Sequence, residues 1–445
     1  MRARIVSWFG YGRLPATVEA SVRRLAWLGV MLGLGLAPAL INGFPIYFHD
    51  SLGYYGYTYY DVRAVTLAVL AQPLYGVLGV WSLITVNAVV FAYLMMRFAD
   101  VLLKGVHPLL AAGVLTAALT PFYVSFIAAD VWLVYLFMAM ALLLVRFSWL
   151  VLGIAVVAGT THGSHVYILA AASVAALAFR SCRMRTAVIF AAVIVGTVAL
   201  TVTLNRVYPA EKLGLGTVAS KILNDVPQAL EQLCDEAPRE KICRLTALIA
   251  QHPADGVEDD KFLWSAWLYA PENLGFPGLN ALGGKLLMVV LRSYPLEFAT
   301  AAAMDFLRLF GPQHCMGVMG YVEEDVLMDL TRLDKDSLAR RGLFQNPQLC
   351  GMAFILQTSV LIFGMLTALW LLMRAGLQQA SIALLLVSAL LINDAFFALA
   401  SGPFGRYHLR GMGLMALSCL LAVSYYRTAR ARGSLSPLFA GRGMG

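Results

Sequence analysis

Residues 25–55, LAWLGVMLGLGLAPALINGFPIYFHDSLGYY, decide the class of fold. The stretch carries no acidic or basic side chain before His49, and its apolar part is long enough to cross a bilayer, which takes roughly 20 residues. Directly after the apolar part, His49 and Asp50 stand among tyrosines, phenylalanines and glycines. The sequence therefore predicts a membrane span that ends in an aromatic loop carrying one acid.

The composition indicates that further spans follow. The 445 residues are 60% hydrophobic and 13% charged, whereas a soluble domain has roughly 25% charged residues. A chain this apolar needs lipid as its solvent. The first apolar run has no small-residue cleavage pattern after it, so we expect a retained helix rather than a cleaved signal peptide.

We expect an all-α polytopic membrane protein with about ten transmembrane helices, because apolar runs of workable length recur along the chain. Residues 61–79 are apolar but interrupted by Gln72 and Pro73, which indicates an interfacial or re-entrant helix. The predicted spans cover residues 25–43, 80–103, 107–128, 131–146, 148–164, 166–180, 186–204, 351–373, 377–398 and 411–426.

The distribution of arginine and lysine predicts the orientation of these spans. Basic residues cluster at the N-terminus, in the loop RSCRMR (180–185) and in the tail RTARAR (427–432). With ten spans these clusters fall on one side, which the positive-inside rule makes cytoplasmic. The net charge of +8 then reflects sidedness, and no basic groove with interleaved aromatic residues suggests nucleic-acid binding.

Four regions follow from this topology. Residues 1–204 form an N-terminal membrane module whose first outer loop is 43–79, and residues 351–428 form a C-terminal one. Between them, residues 205–350 are predicted to be a mostly helical periplasmic segment. Within it, residues 290–310 read as an amphipathic helix that lies on the membrane after Pro295. The Gly-rich tail 429–445 is predicted to be disordered.

Four cysteines lie in the periplasmic segment, where an oxidising compartment favours disulfides. They allow three connectivities, of which we expect Cys234–Cys243 and Cys315–Cys350. Four reduced cysteines are the alternative. Cys182 and Cys419 lie in or near spans and are expected to be free.

Ionisable residues inside or beside a span are unfavourable in lipid and are therefore candidates for function. In this chain they collect, under the predicted topology, on the outer side. Five separate stretches bring them there: Asp50 in the first outer loop, Asp130 in FIAADVW, His162 and His165 in THGSH, Asp394 in LINDAFF, and Arg406, His408 and Arg410 in GRYHLR.

This set of side chains suits transfer chemistry on a phosphate-linked donor. Carboxylates can act as general bases on a hydroxyl or hold a divalent metal. Arginines can clamp a phosphate, and histidines can donate to it, bind metal or carry protons. Aromatic faces at a headgroup boundary suit sugar rings and lipid chains. The set therefore indicates a transferase that uses a lipid-phosphate-linked donor.

Each candidate also has a structural explanation. Asp50 can cap the following helix, and Asp130 can be the N-cap of a span. Asp394 can pair inside the helical bundle. His162 and His165 are three residues apart, on one face of a helix, but two ligands do not make a metal site. The tyrosines after Asp50 can form an interfacial aromatic belt.

The motifs NGFPIYFHDSLGYY, AADVW, HGSH and GRYHLR, in this order, give the chain a resemblance to the GT-C superfamily of multi-pass glycosyltransferases. The chain is most similar to a bacterial group with the motifs NGFP…D, H.SH and RY..R. The resemblance covers the membrane part and little of residues 205–350. It implies a GT-C-like fold in a bacterial inner membrane, with both termini cytoplasmic and the active site facing the periplasm.

The resemblance also implies substrates and roles. The donor would be a polyprenyl-phosphate sugar and the acceptor a glycan, lipid or protein. Asp50 would be the general base, and Asp130 would orient the acceptor or assist a metal, with Mg²⁺ or Mn²⁺ left open. The donor phosphate would be bound by His162, His165, Arg406, His408 and Arg410. The substrate groove would include His49, Tyr54, Tyr55 and Asp394.

Three other classes of function stay open. An O-antigen polymerase or ligase would depend on Arg406 more than on Asp50. A transporter or lipid flippase would place charged groups at the bilayer midplane, in repeat-related broken helices. A non-catalytic subunit of an envelope assembly would need neither residue for chemistry. The absence of Walker A, Rossmann, nucleophile-elbow and HExxH motifs argues against an ATP-driven pump and a metalloprotease.

Overall fold

The computed structural model describes residues 16–47, 51, 65–179, 183–208, 214–238, 241–244, 274–311, 346–375, 377–401 and 405–432. These parts are helical apart from turns and one isolated parallel bridge between Ile46 and Phe126. The helices are α1 Ala16–Asn42, α2 Thr66–Leu78, α3 Ser82–Val101, α4 Pro108–Ala117, α5 Thr120–Val124, α6 Trp132–Val145, α7 Trp149–Thr160, α8 His165–Phe179, α9 Arg183–Val207, α10 Gly216–Asp225, α11 Gln228–Glu236, α12 Gly275–Ser293, α13 Pro295–Arg308, α14 Pro347–Arg374, α15 Leu377–Ala400, α16 Gly405–Leu409 and α17 Met412–Ala431.

Six helical stretches within the described residues are long and apolar enough to cross a membrane. The number rises to eight if each of two bent pairs, α7 with α8 and α12 with α13, counts as one span. The chain is therefore an all-helical, multi-pass membrane protein, and the number of ten spans stays a prediction. The six stretches are Thr17–Asn42, Thr66–Val101, Met184–Val207, Pro347–Arg374, Gln378–Ala400 and Tyr407–Ala431.

Two predicted segments differ in the structure. The span expected at 107–128 is broken at Leu119, whose φ of 54° interrupts the helix between α4 and α5. Pro121 then takes the first turn of α5, where its missing N–H is tolerated. Residues 61–79 do not form a separate interfacial helix over their described part. Instead α2 continues through one 3₁₀ turn into α3, giving a single candidate span of 36 residues.

The middle of the bundle is α6, which is enclosed by protein rather than exposed to lipid. Every residue from Trp132 to Leu144 is buried. Its 14 residues extend about 21 Å, less than the roughly 30 Å of a hydrocarbon layer. A helix that is apolar on all sides is typically buried, and α6 packs against α3, α7, α9, α15 and α17.

The helices α10, α11, α12 and α13 form what we call the insert. It has its own apolar core, with Ile222 and Leu279 among the buried residues. The expected amphipathic helix begins at Pro295, as α13, after a bend of 109° from α12. Helix α13 packs on α15. The insert thus contacts α15 through α13, the helix that the sequence indicated, and also through α10.

The predicted disulfide Cys234–Cys243 is confirmed. Cys350 is also disulfide-bonded, but its expected partner Cys315 lies outside the described residues. Cys419 is free, as expected. Cys182 lies outside the described part of the chain.

Candidate functional site

A buried polar cluster lies where four separate parts of the chain meet. Asp130 stands just before α6, and α15 supplies Asn393 and Asp394. The short helix α16 and the turn after it supply Tyr407, His408 and Arg410. The fourth part is the break between α7 and α8, which turns the chain by 119° at residues 161–164 and carries His162 and His165.

Arg410 is the centre of the cluster, with no exposed side-chain surface. Its Nη1 donates to Asp130 Oδ1 at 3.4 Å, and its Nη2 donates to Asn393 Oδ1 at 2.9 Å. The guanidinium lies 4.7 Å from the ring centroid of Phe397 and 5.0 Å from that of Tyr407. A buried cation is tolerated only when paired, and the carboxylate and two aromatic faces meet that need.

Asn393 and Asp394 extend these contacts into a continuous chain. Asn393 Nδ2 donates to Asp394 Oδ1 at 3.0 Å and to the Tyr407 carbonyl oxygen at 2.7 Å. The second carboxylate oxygen of Asp394, Oδ2, lies 2.7 Å from His408 Nδ1. Asp130, Arg410, Asn393, Asp394 and His408 are therefore linked side chain to side chain. We call these five residues the span network.

Both ends of the span network have unused bonding capacity. Asp130 Oδ2 and His408 Nε2 hydrogen-bond to none of the described residues, although the two side chains are only 8% and 6% exposed. An ionised carboxylate can accept further bonds, and an imidazole can bond through both nitrogens. The arrangement can therefore present one acceptor and one titratable nitrogen to a bound molecule.

The two histidines at the α7–α8 break border this network. The His162 and His165 ring centroids are 5.5 Å apart, and the His162 ring contacts Phe397 and Tyr407 edge-on at 5.9 and 6.5 Å. His162 Nδ1 accepts from the Ser164 amide at 3.2 Å, which stabilises the turn. The histidines share the site, but His162 lies in the turn and not on one helical face with His165.

The insert also contributes to this region. Phe310, just after α13, packs edge-on against the His408 ring at 5.0 Å. Nothing in the local sequence of Phe310 indicated this contact, because the two residues are far apart in the chain. The insert therefore forms part of the wall around the span network.

The first outer loop is anchored beside Asp130. Ile46 accepts from the Ile127 amide at 2.8 Å and donates to the Ser125 carbonyl at 3.2 Å. Ser51 Oγ donates to the Ile127 carbonyl at 2.7 Å. Four predicted site residues, His49, Asp50, Tyr54 and Tyr55, lie outside the described residues, as does the side chain of Arg406.

The structure thus brings together six of the residues singled out from sequence, and it revises the surroundings of three. Arg410 is buried and donates to Asp130 and Asn393, and its binding of the donor phosphate stays a prediction. Asp130 is not an N-cap, because α6 has Val131 at that position without a side-chain cap bond. Asp394 pairs inside the bundle, which was its structural alternative. The six residues are Asp130, His162, His165, Asp394, His408 and Arg410.

Sequence reasoning missed four members of the site: Asn393, Phe397, Tyr407 and Phe310. Asn393 carried a usable signal, since an amide next to an acid is unusual in an apolar helix. A metal site finds no support in the described residues, which contain no group of three or more His, Cys, Asp or Glu side chains placed to hold an ion. Asp50 lies outside them, so metal dependence stays a prediction.

The fold and the site together define a class: a multi-pass, all-helical membrane protein with a buried polar network near the ends of its helices. Comparison with protein-family models, with curated proteins and with solved structures finds no match. The GT-C resemblance therefore rests on the four sequence motifs alone.

Proposed function

We propose that the protein is a glycosyltransferase that moves a sugar from a polyprenyl-phosphate-linked donor to a cell-envelope glycan, lipid or protein. The acceptor would be reached on the periplasmic face of a bacterial inner membrane. The span network is the observation that carries the proposal. It contains a carboxylate oxygen and an imidazole nitrogen that bond to none of the described residues.

The acceptor side of the reaction needs a base. In the proposed reaction, the acceptor hydroxyl oxygen forms a bond to the sugar carbon and its proton passes to the Asp50 carboxylate. Asp50 is proposed for this role because of its place in the motif NGFPIYFHDSLGYY. Ile46 and Ser51, on either side of Asp50 in the sequence, are anchored to residues 125–127. Only two residues separate Ile127 from Asp130, which supports this role. Asp130 Oδ2 would then orient the acceptor hydroxyl.

The donor side needs a partner for the departing phosphate. As the bond between sugar carbon and phosphate oxygen breaks, its electron pair stays on the phosphate oxygen. A protonated His408 can donate to that oxygen through Nε2, while Asp394 on Nδ1 stabilises the positive ring. Arg410 holds Asp130 and Asn393 in place, and Arg406 and His162 are further candidates for the phosphate.

The test uses purified protein in lipid nanodiscs with a panel of polyprenyl-phosphate sugars. Release of free lipid phosphate is followed for wild type, Asp50→Asn, and the matched control Asp100→Asn, whose carboxylate pairs with Arg24 away from the site. We expect wild type and the control to turn over one donor, and Asp50→Asn to bind it without turnover. Wild type that binds no polyprenyl phosphate would overturn the proposal.

One observation favours a transporter as a second candidate. The helix broken at residues 161–164, with two histidines beside the break, is of the kind that forms transporter binding sites. The position of Asp394 does not favour a transporter, which would place charged groups at the bilayer midplane. Asp394 lies six residues, or about 9 Å, from the end of α15 rather than at its middle. Movement of a labelled lipid across a proteoliposome membrane without any covalent product would favour the transporter.

A further inference from the structure

His165 has an unusual hydrogen-bonding arrangement. The residue begins α8 directly after the break and has no exposed surface. Its Nδ1 lies 2.8 Å from the carbonyl oxygen of Ala158. A carbonyl oxygen can only accept, so the hydrogen of a neutral ring sits on Nδ1. The lone pair of that ring is then on Nε2.

His165 Nε2 is buried and bonds to no polar atom in the part of the chain that the structure describes. An unpaired buried polar atom is uncommon in folded proteins and is unfavourable. A histidine that served only the packing of the bundle would gain by pairing both nitrogens. The position next to the span network therefore points to a molecule that pairs with Nε2 when bound.

The neutral form of the His165 ring determines which chemical group of that molecule can bond to Nε2. Arg410 is within electrostatic range of His165, and it already brings positive charge to this part of the site. A neutral ring with its lone pair on Nε2 accepts from an O–H or N–H group. It does not favour a phosphate oxygen, because both atoms would then be acceptors. His165 and His408 thus suit different parts of a ligand.

The neighbours of His165 suit a sugar ring. His162 lies beside it at 5.5 Å, and beyond His162 are the stacked rings of Phe397 and Tyr407, whose centroids are 3.6 Å apart. Apolar faces with a small number of oriented polar atoms are the usual composition of a small-molecule site.

We propose that His165 Nε2 accepts a hydrogen bond from a hydroxyl group of the donor sugar. His165 would then determine which sugar is bound. This role differs from the phosphate binding that the family resemblance implies for it. The inference rests on the proposed function, which supplies the sugar.

The test compares two kinds of lipid that differ only in the sugar. Equilibrium binding to the full chain in nanodiscs is measured for undecaprenyl phosphate and for undecaprenyl phosphate bearing glucose, mannose or arabinose. The variants are His165→Phe, which keeps a ring without nitrogen, and His165→Gln, which keeps an acceptor oxygen. His107→Gln is the matched control, since His107 is exposed at the start of α4.

We expect His165→Phe to weaken binding of the sugar-bearing lipid that wild type binds best by about tenfold, because one buried hydrogen bond is lost. Binding of undecaprenyl phosphate should stay unchanged, and His165→Gln should recover part of the loss. Equal weakening of both lipids, or no weakening of either, would overturn the inference while leaving the proposed function in place. If wild type binds neither kind of lipid, the proposed function fails and the inference fails with it.

Discussion

Two buried charge networks in this protein differ in how completely they are paired. The span network lies among the membrane helices. The second, which we call the insert network, joins Lys221 and Asp225 of α10 to Asp305 and Arg308 of α13. Both take charged groups out of water, which is unfavourable unless the partners are well placed. They differ in whether the remaining polar atoms of each network have hydrogen-bond partners.

The insert network is closed. Lys221, only 2% exposed, donates to Asp225 Oδ2 at 2.5 Å and to Asp305 Oδ2. The other oxygens accept from Asn224 Nδ2 and from Arg308 Nη1, both at 3.0 Å. Two acids and two bases are therefore balanced, and all four carboxylate oxygens have partners. Such a network can hold α10 against α13.

The span network is open at both ends. Three atoms bond to none of the described residues: Asp130 Oδ2, His408 Nε2 and, beside them, His165 Nε2. Burial of charge therefore does not by itself mark a functional site. The proposal rests instead on the unpaired polar atoms of the span network and of His165, because a folded protein usually pairs such atoms.

The largest expected effect comes from breaking the insert network. Lys221→Met removes the cation that the buried Asp305 and the half-buried Asp225 share, and removing one partner of a buried ion pair costs about 3–5 kcal/mol. Thermal unfolding in detergent should show the loss. Lys104→Met, at an exposed position between α3 and α4, is the control and should change stability little. Equal effects of the two variants would contradict the closed network.

A smaller effect should follow from separating α10 and α12. A Cβ at Gly283 would lie 2.0 Å from the Leu215 carbonyl oxygen, so the two helices must move apart in Gly283→Ala. Such overpacking costs about 1–3 kcal/mol. At the neighbouring Gly284 the nearest atom is 3.7 Å away, so Gly284→Ala should be neutral or stabilising. Unfolding temperatures of the two variants check the difference, and Gly283→Ala as stable as wild type would refute the close contact.

The smallest effect concerns the loop beside the span network. Ser51→Ala removes the bond from Ser51 Oγ to the Ile127 carbonyl, worth about 1 kcal/mol. We expect faster amide hydrogen exchange in residues 42–47 and 125–127, measured by mass spectrometry. Ser359→Ala, which removes only a bond within α14, should leave those residues unchanged. Unchanged exchange in Ser51→Ala would show that the loop is held by other contacts.

The apolar runs predicted the membrane class, and the charged side chains among them predicted the convergence of the site. Isolated charges in apolar surroundings stand out, and Asp130, Asp394 and Arg410 all do. The pattern could not show that α6 is enclosed by protein, since helices facing lipid and helices facing protein are equally apolar. It also could not show that Lys221 meets Asp305, 84 residues further on, because no local spacing records such a contact.

The most direct test of the account applies one chemical change to both networks. Asp130→Asn and Asp225→Asn are compared in nanodiscs for release of lipid phosphate per folded molecule and for unfolding temperature. We expect Asp130→Asn to lower the unfolding temperature as well, because Arg410 loses its carboxylate partner, and to lower turnover per folded molecule about 100-fold, the effect of losing acceptor orientation. Asp225→Asn should lower the unfolding temperature and keep wild-type turnover. Full turnover by Asp130→Asn, or no turnover by wild type, would contradict the account.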